Sequence, residues 1–254
     1  MGTARCAGSV QPLAYARGLA RAAQRAGAIL HGGSPCSAWS ARAAAGTCAR
    51  RRAQGRHDPR RPGADRDQWL YRRPVAGAAA ESIIAANSFI VATAPLPEQI
   101  SRGILPGGEV ASDSRRLLLY FRKDASGRLL MGGRGPFSEP GAAADWAHLE
   151  RAATLMFRQL RGIGYDYRWA GRIAITRDFL PHLHRPAPGL TIALGYNGRG
   201  IALATTLGRH LADAIDGSAP ELPPAPIRPI PLHALQRLYI SAGVAWYALL
   251  DALS

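Results

Sequence analysis

The chain has 254 residues, 47% of them hydrophobic and 19% charged, enough to bury a core as one large domain or two small ones. Its formal net charge of +15 rests on 32 basic residues of which Lys123 is the only lysine, a bias that points to GC-rich coding more than to selection for phosphate binding. Cys6, Cys36 and Cys48 form no CxxC pair and no metal spacing, an odd count that argues against a disulfide framework. The longest apolar run, Leu238 to Leu250, is too short to span a bilayer, so no membrane partner is expected. With no leader visible at Met1, a cytoplasmic, reducing location is the expectation.

In chain order, the pattern predicts a helix over Tyr15 to Ala26 and a short strand at Ala28 to His31. Cys36 to about Ala80 differs from its surroundings, with ten arginines against three aspartates and neither strand alternation nor a sustained helical face. It is expected to be irregular: an arginine-rich solvated insert, or a nucleic-acid-binding arm whose arginines neutralise phosphates. Residues 82–134 predict strands, with SFIVATAPL as one β-run and LLLYFRKDASGRLLMGG as a hairpin turning at Asp124 to Gly127. Asp145 to Leu160 predicts an amphipathic helix with Leu149, Ala152, Ala153, Met156 and Leu160 on one face. A strand pair over residues 165–198 follows. His182 and His184 in PHLH invite a metal reading, but no Cys, His or acidic cluster stands beside them in sequence, and no metal site is expected. The proline-rich Pro220 to Pro231 reads as an extended connector, and Leu232 to Leu253 as a closing helix.

The segment TIALGYNGRGIALATTLGRHLADAIDG, Thr191 to Gly217, is the most informative stretch. It predicts a strand, a glycine-rich turn and a helix with Ala204, Leu207, Leu211 and Ile215 on its apolar face. Gly195, Gly198 and Gly200 let backbone approach a ligand, and the first N–H groups of the helix favour negative charge above the turn.

This segment resembles the C-terminal flavin-contacting part of the FAD-dependent amine and amino-acid oxidases, the D-amino-acid oxidase superfamily, and most of all its gamma-glutamylputrescine oxidoreductase-like members. The likeness continues, in the family's order, through GSVQPLAYARGLARAAQRAGAILHGGSP (Gly8 to Pro35), SIIAANSFIVATAPLP (Ser82 to Pro97), SDSRRLLLYFRKDASGRLLMGGRG (Ser112 to Gly135) and WAGRIAITRDFLPHL (Trp169 to Leu183). The resemblance implies an α/β (α+β) fold of two domains: an FAD-binding α/β domain and a substrate domain on a mostly antiparallel sheet. Residues 1–35 would be a remnant of the FAD domain, 36–81 the irregular arginine-rich stretch, and 82–168 the substrate domain. Residues 169–218 would return to the FAD domain with the flavin loop, and 219–254 would form the connector and last helix. Intact members open with a strand, a GxGxxG turn and a helix that hold the FAD pyrophosphate. Nothing of that kind precedes Gly8, so an N-terminally truncated chain, binding FAD weakly and inactive alone, is the expectation.

The resemblance also implies hydride transfer from a C–H beside an amine to the flavin, the cofactor being FAD and the partner a small amine or amino acid. No nucleophile or metal is needed, and no catalytic side chain is assigned. Gly195, Asn197, Gly198, Arg199, Gly200, Ile201 and Ala202 carry over as cofactor-binding. Substrate-binding candidates are Tyr120, Arg122, Arg134, Trp169 and Arg172, since a planar guanidinium fork suits a substrate carboxylate. Strand alternation sends Tyr120 and Arg122 to one face and Phe121 to the other.

The arginine-rich stretch has a further reading. Codons can be chosen for Asp67 to Gly77, DQWLYRRPVAG, that one base out of frame read TNGYTGDLWPG, close to the family's segment leading toward SIIAANSFIVAT. The invariant TGG of Trp69 forces the glycine of the shifted NGY. Single-base slips near Pro35, between Ala41 and Gly55 and between Gly77 and Ser82 would together restore the frame. Long-read resequencing of the gene is expected to show them; an unchanged, expressed frame across Cys36 to Ala80 would favour an authentic insert.

Overall fold

The computed structural model describes residues 8–32, 36–42, 45–50, 79–135, 140–187, 190–218 and 222–253, with backbone alone over 36–42 and 45–50. The chain divides into two compact units. One comprises Met1–Gly27, Ala86–Gly171 and Arg237–Ser254; the other comprises Ala28–Ala85 and Arg172–Gln236.

In the first unit, α1 (Pro12–Arg25) opens on a proline, whose missing N–H costs nothing at a helix start, and Gln11 Oε1 accepts the Ala14 N–H at 2.6 Å. The main sheet has the strand order β4 (Val110–Ser112), β5 (Tyr120–Lys123), β6 (Leu129–Arg134), β3 (Ile83–Thr93), β7 (Tyr165–Thr176). Its β4–β5, β5–β6 and β6–β3 pairs are antiparallel. The β5–β6 turn falls where the sequence puts it: Asp124 Oδ1 accepts from Ser126 N at 2.8 Å and Arg128 N at 3.0 Å, and Gly127 takes φ +74°. A short helix, α2 (Glu98–Gly103), is tied to β5 by Lys123, whose Nζ donates to the Ser101 carbonyl at 2.7 Å.

One sheet face packs on α3 (Ala147–Met156). Period-two alternation sends Phe89, Val91, Phe121, Leu129 and Met131 inward, where they meet Trp146, Leu149, Ala153 and Leu160. The Phe89 and Trp146 rings lie 5.1 Å apart and Phe121 meets Phe157 edge-on at 5.3 Å. The helix expected over Asp145 to Leu160 is interrupted: Phe157, at φ −125° and ψ 88°, ends α3, and a 3-10 turn at Arg158–Leu160 returns Leu160 to the core. Thr93, fully buried, accepts the Leu129 N–H at 3.0 Å and donates to the Ala94 carbonyl. The closing helix α5 (Gln236–Leu253) is anchored through Asp251, whose carboxylate accepts from Arg116 N at 3.2 Å and Leu117 N at 3.0 Å.

In the second unit, β8 (His182–Ala187) pairs antiparallel with β9 (Leu190–Leu194), and α4 (Gly200–Ile215) follows. The proline-rich stretch is neither helix nor strand over its described residues and is held by backbone bonds from Ala225 N to Leu183 O and from Ile230 N to Glu81 O, both 2.8 Å.

Three local expectations change. Ala28 to His31 is not a strand: among the described residues no neighbour pairs with it, and Ile29 stays 81% exposed. Part of the stretch expected to be irregular is regular: β1 (Cys36–Arg42) pairs antiparallel with β2 (Ala45–Arg50), Trp39 opposite Cys48. Backbone pairing needs no hydrophobic alternation, so the pattern does not reveal it; residues 51–78, and with them most of the frame-slip reading, lie outside the described residues. The apolar face of α4 is rotated from the expected one: Leu207 is buried and Leu203, His210, Leu211 and Ala214 are half-buried, while Ala204 and Ile215 are exposed.

Phe89→Ala should remove a ring that both Trp146 and the sheet pack against. The expected cost is about 3–5 kcal/mol, read as a lower midpoint in urea unfolding at unchanged slope.

Candidate functional site

The turn between β9 and α4 is shaped by residues of positive φ: Gly195 at +76°, Asn197 at +51° and Gly198 at +84°. Asn197 is not a glycine, and its left-handed backbone is secured by its side chain. Its Oδ1 accepts the Thr176 N–H at 2.9 Å, its Nδ2 donates to the Gly195 carbonyl, and its own N–H donates to the Ala174 carbonyl at 3.1 Å. Thr176 Oγ1 in turn donates to the Leu180 carbonyl at 2.8 Å. Gly195 is obligatory at the same junction, since a Cβ there would lie 2.2 Å from Thr176 Cγ2.

Beyond this clamp the loop opens. A Cβ at Gly198 would meet nothing within 4 Å, and one at Gly200 only the Tyr196 ring at 3.9 Å. Leu203 N bonds to Arg199 O, but the N–H groups of Gly200, Ile201 and Ala202 have no acceptor among the described residues, as the first turn of a helix requires. Ile201 and Ala202 are exposed. Arg199 carries no cap and instead donates from its guanidinium to the Phe179 carbonyl at 3.0 Å. The expected cofactor residues thus fall into two groups. Gly195 and Asn197 build the loop, whereas Gly198, Gly200, Ile201 and Ala202 present its open side.

Four of the five substrate candidates share one sheet face. The register sets Tyr120 opposite Gly132, Arg122 opposite Leu130 and Ser88 opposite Arg134, all on the face away from α3. The Tyr120 ring lies across Gly132, where a Cβ would come within 2.1 Å of Cε2, and its hydroxyl hydrogen-bonds Ser88 Oγ at 2.5 Å. Burial raises the Tyr120 hydroxyl above its ordinary pKa, against the Ser88 bond, so it stays protonated. Arg134 is half-buried and desolvation lowers its pKa, with no acceptor for its guanidinium among the described residues. On β7, Arg168 bonds Glu150 of α3 and Ala170 packs on the core, so alternation turns Trp169 to the Tyr120 face, where it is 40% exposed. Arg172, also on β7, belongs to the other compact unit and is already engaged. Neither Ser88 nor Thr176 stands out in the sequence; strand register reveals the first, and the hydrogen bonds to Asn197 and Leu180 reveal the second.

The two histidines of PHLH have separate partners. The His182 ring contacts the Asp178 carboxylate at 3.0 Å, and the buried His184 donates from Nδ1 to the Ala225 carbonyl at 2.7 Å. Among the described residues no three His, Cys, Asp or Glu side chains converge as metal ligands, and no helix is long and apolar enough to cross a membrane.

Residues 3–214 match the family model described as FAD dependent oxidoreductase, and the chain belongs to that family. It is 34% identical over 179 residues to the OrdL protein of Rhizobium meliloti (strain 1021), covering 68% of this chain and 41% of that one. It is 30% identical over 172 residues to gamma-glutamylputrescine oxidoreductase of Escherichia coli (strain K12), covering 65% of this chain and 39% of that one. The chain thus spans about two-fifths of the length of these curated relatives. Its fold is similar to iminodiacetate oxidase from Chelativorans sp. BNC1, with a TM-score of 0.61 at 19% identity over 85% of this chain and 57% of that one. The fold is accordingly the mixed helix and antiparallel-sheet type that the sequence led us to expect.

Asp178 is held at about pKa 2, first by the hydrogen bond from His182 and then by the Leu180 N–H, against an ordinary value of 3.8. A depressed carboxylate stabilises above its unfolded pKa and loses that contribution as pH falls through the folded value. Stability should therefore drop from about pH 4 toward pH 2, and Asp178→Asn should flatten that acid limb when urea midpoints are measured against pH.

Proposed function

We propose that this chain carries the flavin-contacting loop and the substrate wall of an FAD-dependent oxidoreductase that oxidises a C–N bond in an amine or amino acid. The observation that carries the reading is the open turn ahead of α4. There, three N–H groups without an acceptor among the described residues follow a glycine whose Cβ position is empty. That is the donor set an electron-rich ring edge needs, and donors fixed in advance stabilise negative charge as it develops. FAD, when bound, supplies the hydride acceptor. The chain's own residues do the rest. Gly198, Gly200, Ile201 and Ala202 hold the ring edge by backbone, and Gly195, Asn197 and Thr176 keep that backbone in shape. On the sheet face, Arg134 or Arg122 holds the substrate carboxylate, Tyr120 offers a neutral O–H, and Trp169 covers the apolar part. Arg172, in the other compact unit, is kept as a separate substrate-binding candidate. We place the protein in a reducing cytoplasm, on the absence of paired cysteine spacing in its sequence.

Flavin fluorescence titration tests the loop. FAD should bind the unaltered chain only weakly, and Gly198→Val or Gly200→Val should weaken it further by about tenfold or more, roughly the loss of 1.4 kcal/mol, with circular dichroism unchanged. Two variants that retain FAD fully would remove the loop from the cofactor site.

A further inference from the structure

Within the unit that holds the main sheet, four described arginines are half-buried: Arg122, Arg128, Arg134 and Arg168. Two are neutralised, Arg128 by Asp166 and Arg168 by Glu150. The other two, Arg122 and Arg134, have no carboxylate among the described residues, and these two share the face away from α3. Solvated arginines need no partner, but a half-buried one without an acid keeps an electrostatic demand that a ligand can meet.

The register fixes their spacing. Arg122 stands opposite Leu130, and Arg134 lies four residues further along β6, so their Cα atoms are separated by about 14 Å at the ordinary strand rise. Between them lie Gly132, without a side chain, and the Tyr120 ring that occupies the space above it, tethered to Ser88. A cation thus stands on either side of a flat aromatic and glycine floor. A free diamine is repelled at both ends of such a floor, and a simple amino acid satisfies one arginine only.

We propose that the face selects an amino compound bearing two separate acid groups, one carboxylate on Arg134 and the second on Arg122, with the substrate body lying over Tyr120 and Gly132. This rests on the reading of the face as a substrate wall. A second charge-assisted hydrogen-bonded pair should make a two-acid ligand bind about tenfold more tightly than its one-acid counterpart.

Calorimetric titration of the full chain at fixed ionic strength, with glutarate, pentanoate and cadaverine as probes, tests this. Glutarate should bind about tenfold more tightly than pentanoate, and cadaverine should not bind. Arg122→Gln and Arg134→Gln should each erase the glutarate advantage, Arg122→Lys should keep part of it, and Arg151→Gln, at an exposed arginine of α3, should change nothing. Equal binding of the two carboxylates, with loss only in Arg134→Gln, overturns the two-acid selection and leaves the substrate wall standing. A glutarate advantage that survives both glutamine variants also overturns it. Carboxylate binding indifferent to both arginines, or tight cadaverine binding, overturns the wall as well. Should a glutamine variant fail to fold, the Nε–H signals of Arg122 and Arg134 in the unaltered chain must both move on adding glutarate; if either stays fixed, the proposal falls.

Discussion

The main sheet depends on side chains being absent at the end of β6. Gly132 leaves room for the Tyr120 ring on one face, and Gly133 admits Leu119 and Leu149 on the other, where a Cβ would approach them to 2.8 and 3.0 Å. Gly135 admits the Phe89 ring, which would otherwise lie 2.1 Å from a Cβ. Without these gaps neither the core over α3 nor the aromatic floor opposite could form, because a close-packed interior cannot give by that much. Both faces of one sheet are therefore set by the same short run. The core face holds the fold, and the other is free to carry arginines that the fold does not need.

Sequence patterns reveal the parts whose cause is local. The Asp124–Gly127 turn, the apolar face of Leu149, Ala153 and Leu160, and the loop ahead of α4 follow from turn chemistry and periodicity alone. The break at Phe157 is not legible, since Leu160 keeps helical spacing while the chain reaches the core by a 3-10 turn. The phase of α4 is hidden for a related reason: Ala204 and Leu203 are equally good inward residues by composition, and only packing decides. The hairpin of Cys36 to Arg50 escapes the pattern because its alanines, serines and arginines carry no hydrophobic alternation, although its backbone pairs.

For the candidate site the division is similar. Residue types announce themselves, and alternation alone puts Tyr120 and Arg122 together. The pairing of Tyr120 with Gly132, and of Ser88 with Arg134, needs the register between strands distant in sequence. GGRG draws notice for its arginine, yet its glycines set the shape of the sheet beside that arginine. Asn197 is expected as a cofactor contact; its side chain bonds Thr176 and Gly195.

That clamp bears on the thermodynamics of association. A loop of glycines left to itself samples many backbone states, and ordering each residue costs about 1–2 kcal/mol of conformational entropy. Here Asn197 fastens the loop to the end of β7 with protein contacts alone. A ligand held, as proposed, by the Gly200 to Ala202 amides would then need little rearrangement of the loop, so the enthalpy of those contacts would not be consumed in immobilising the chain.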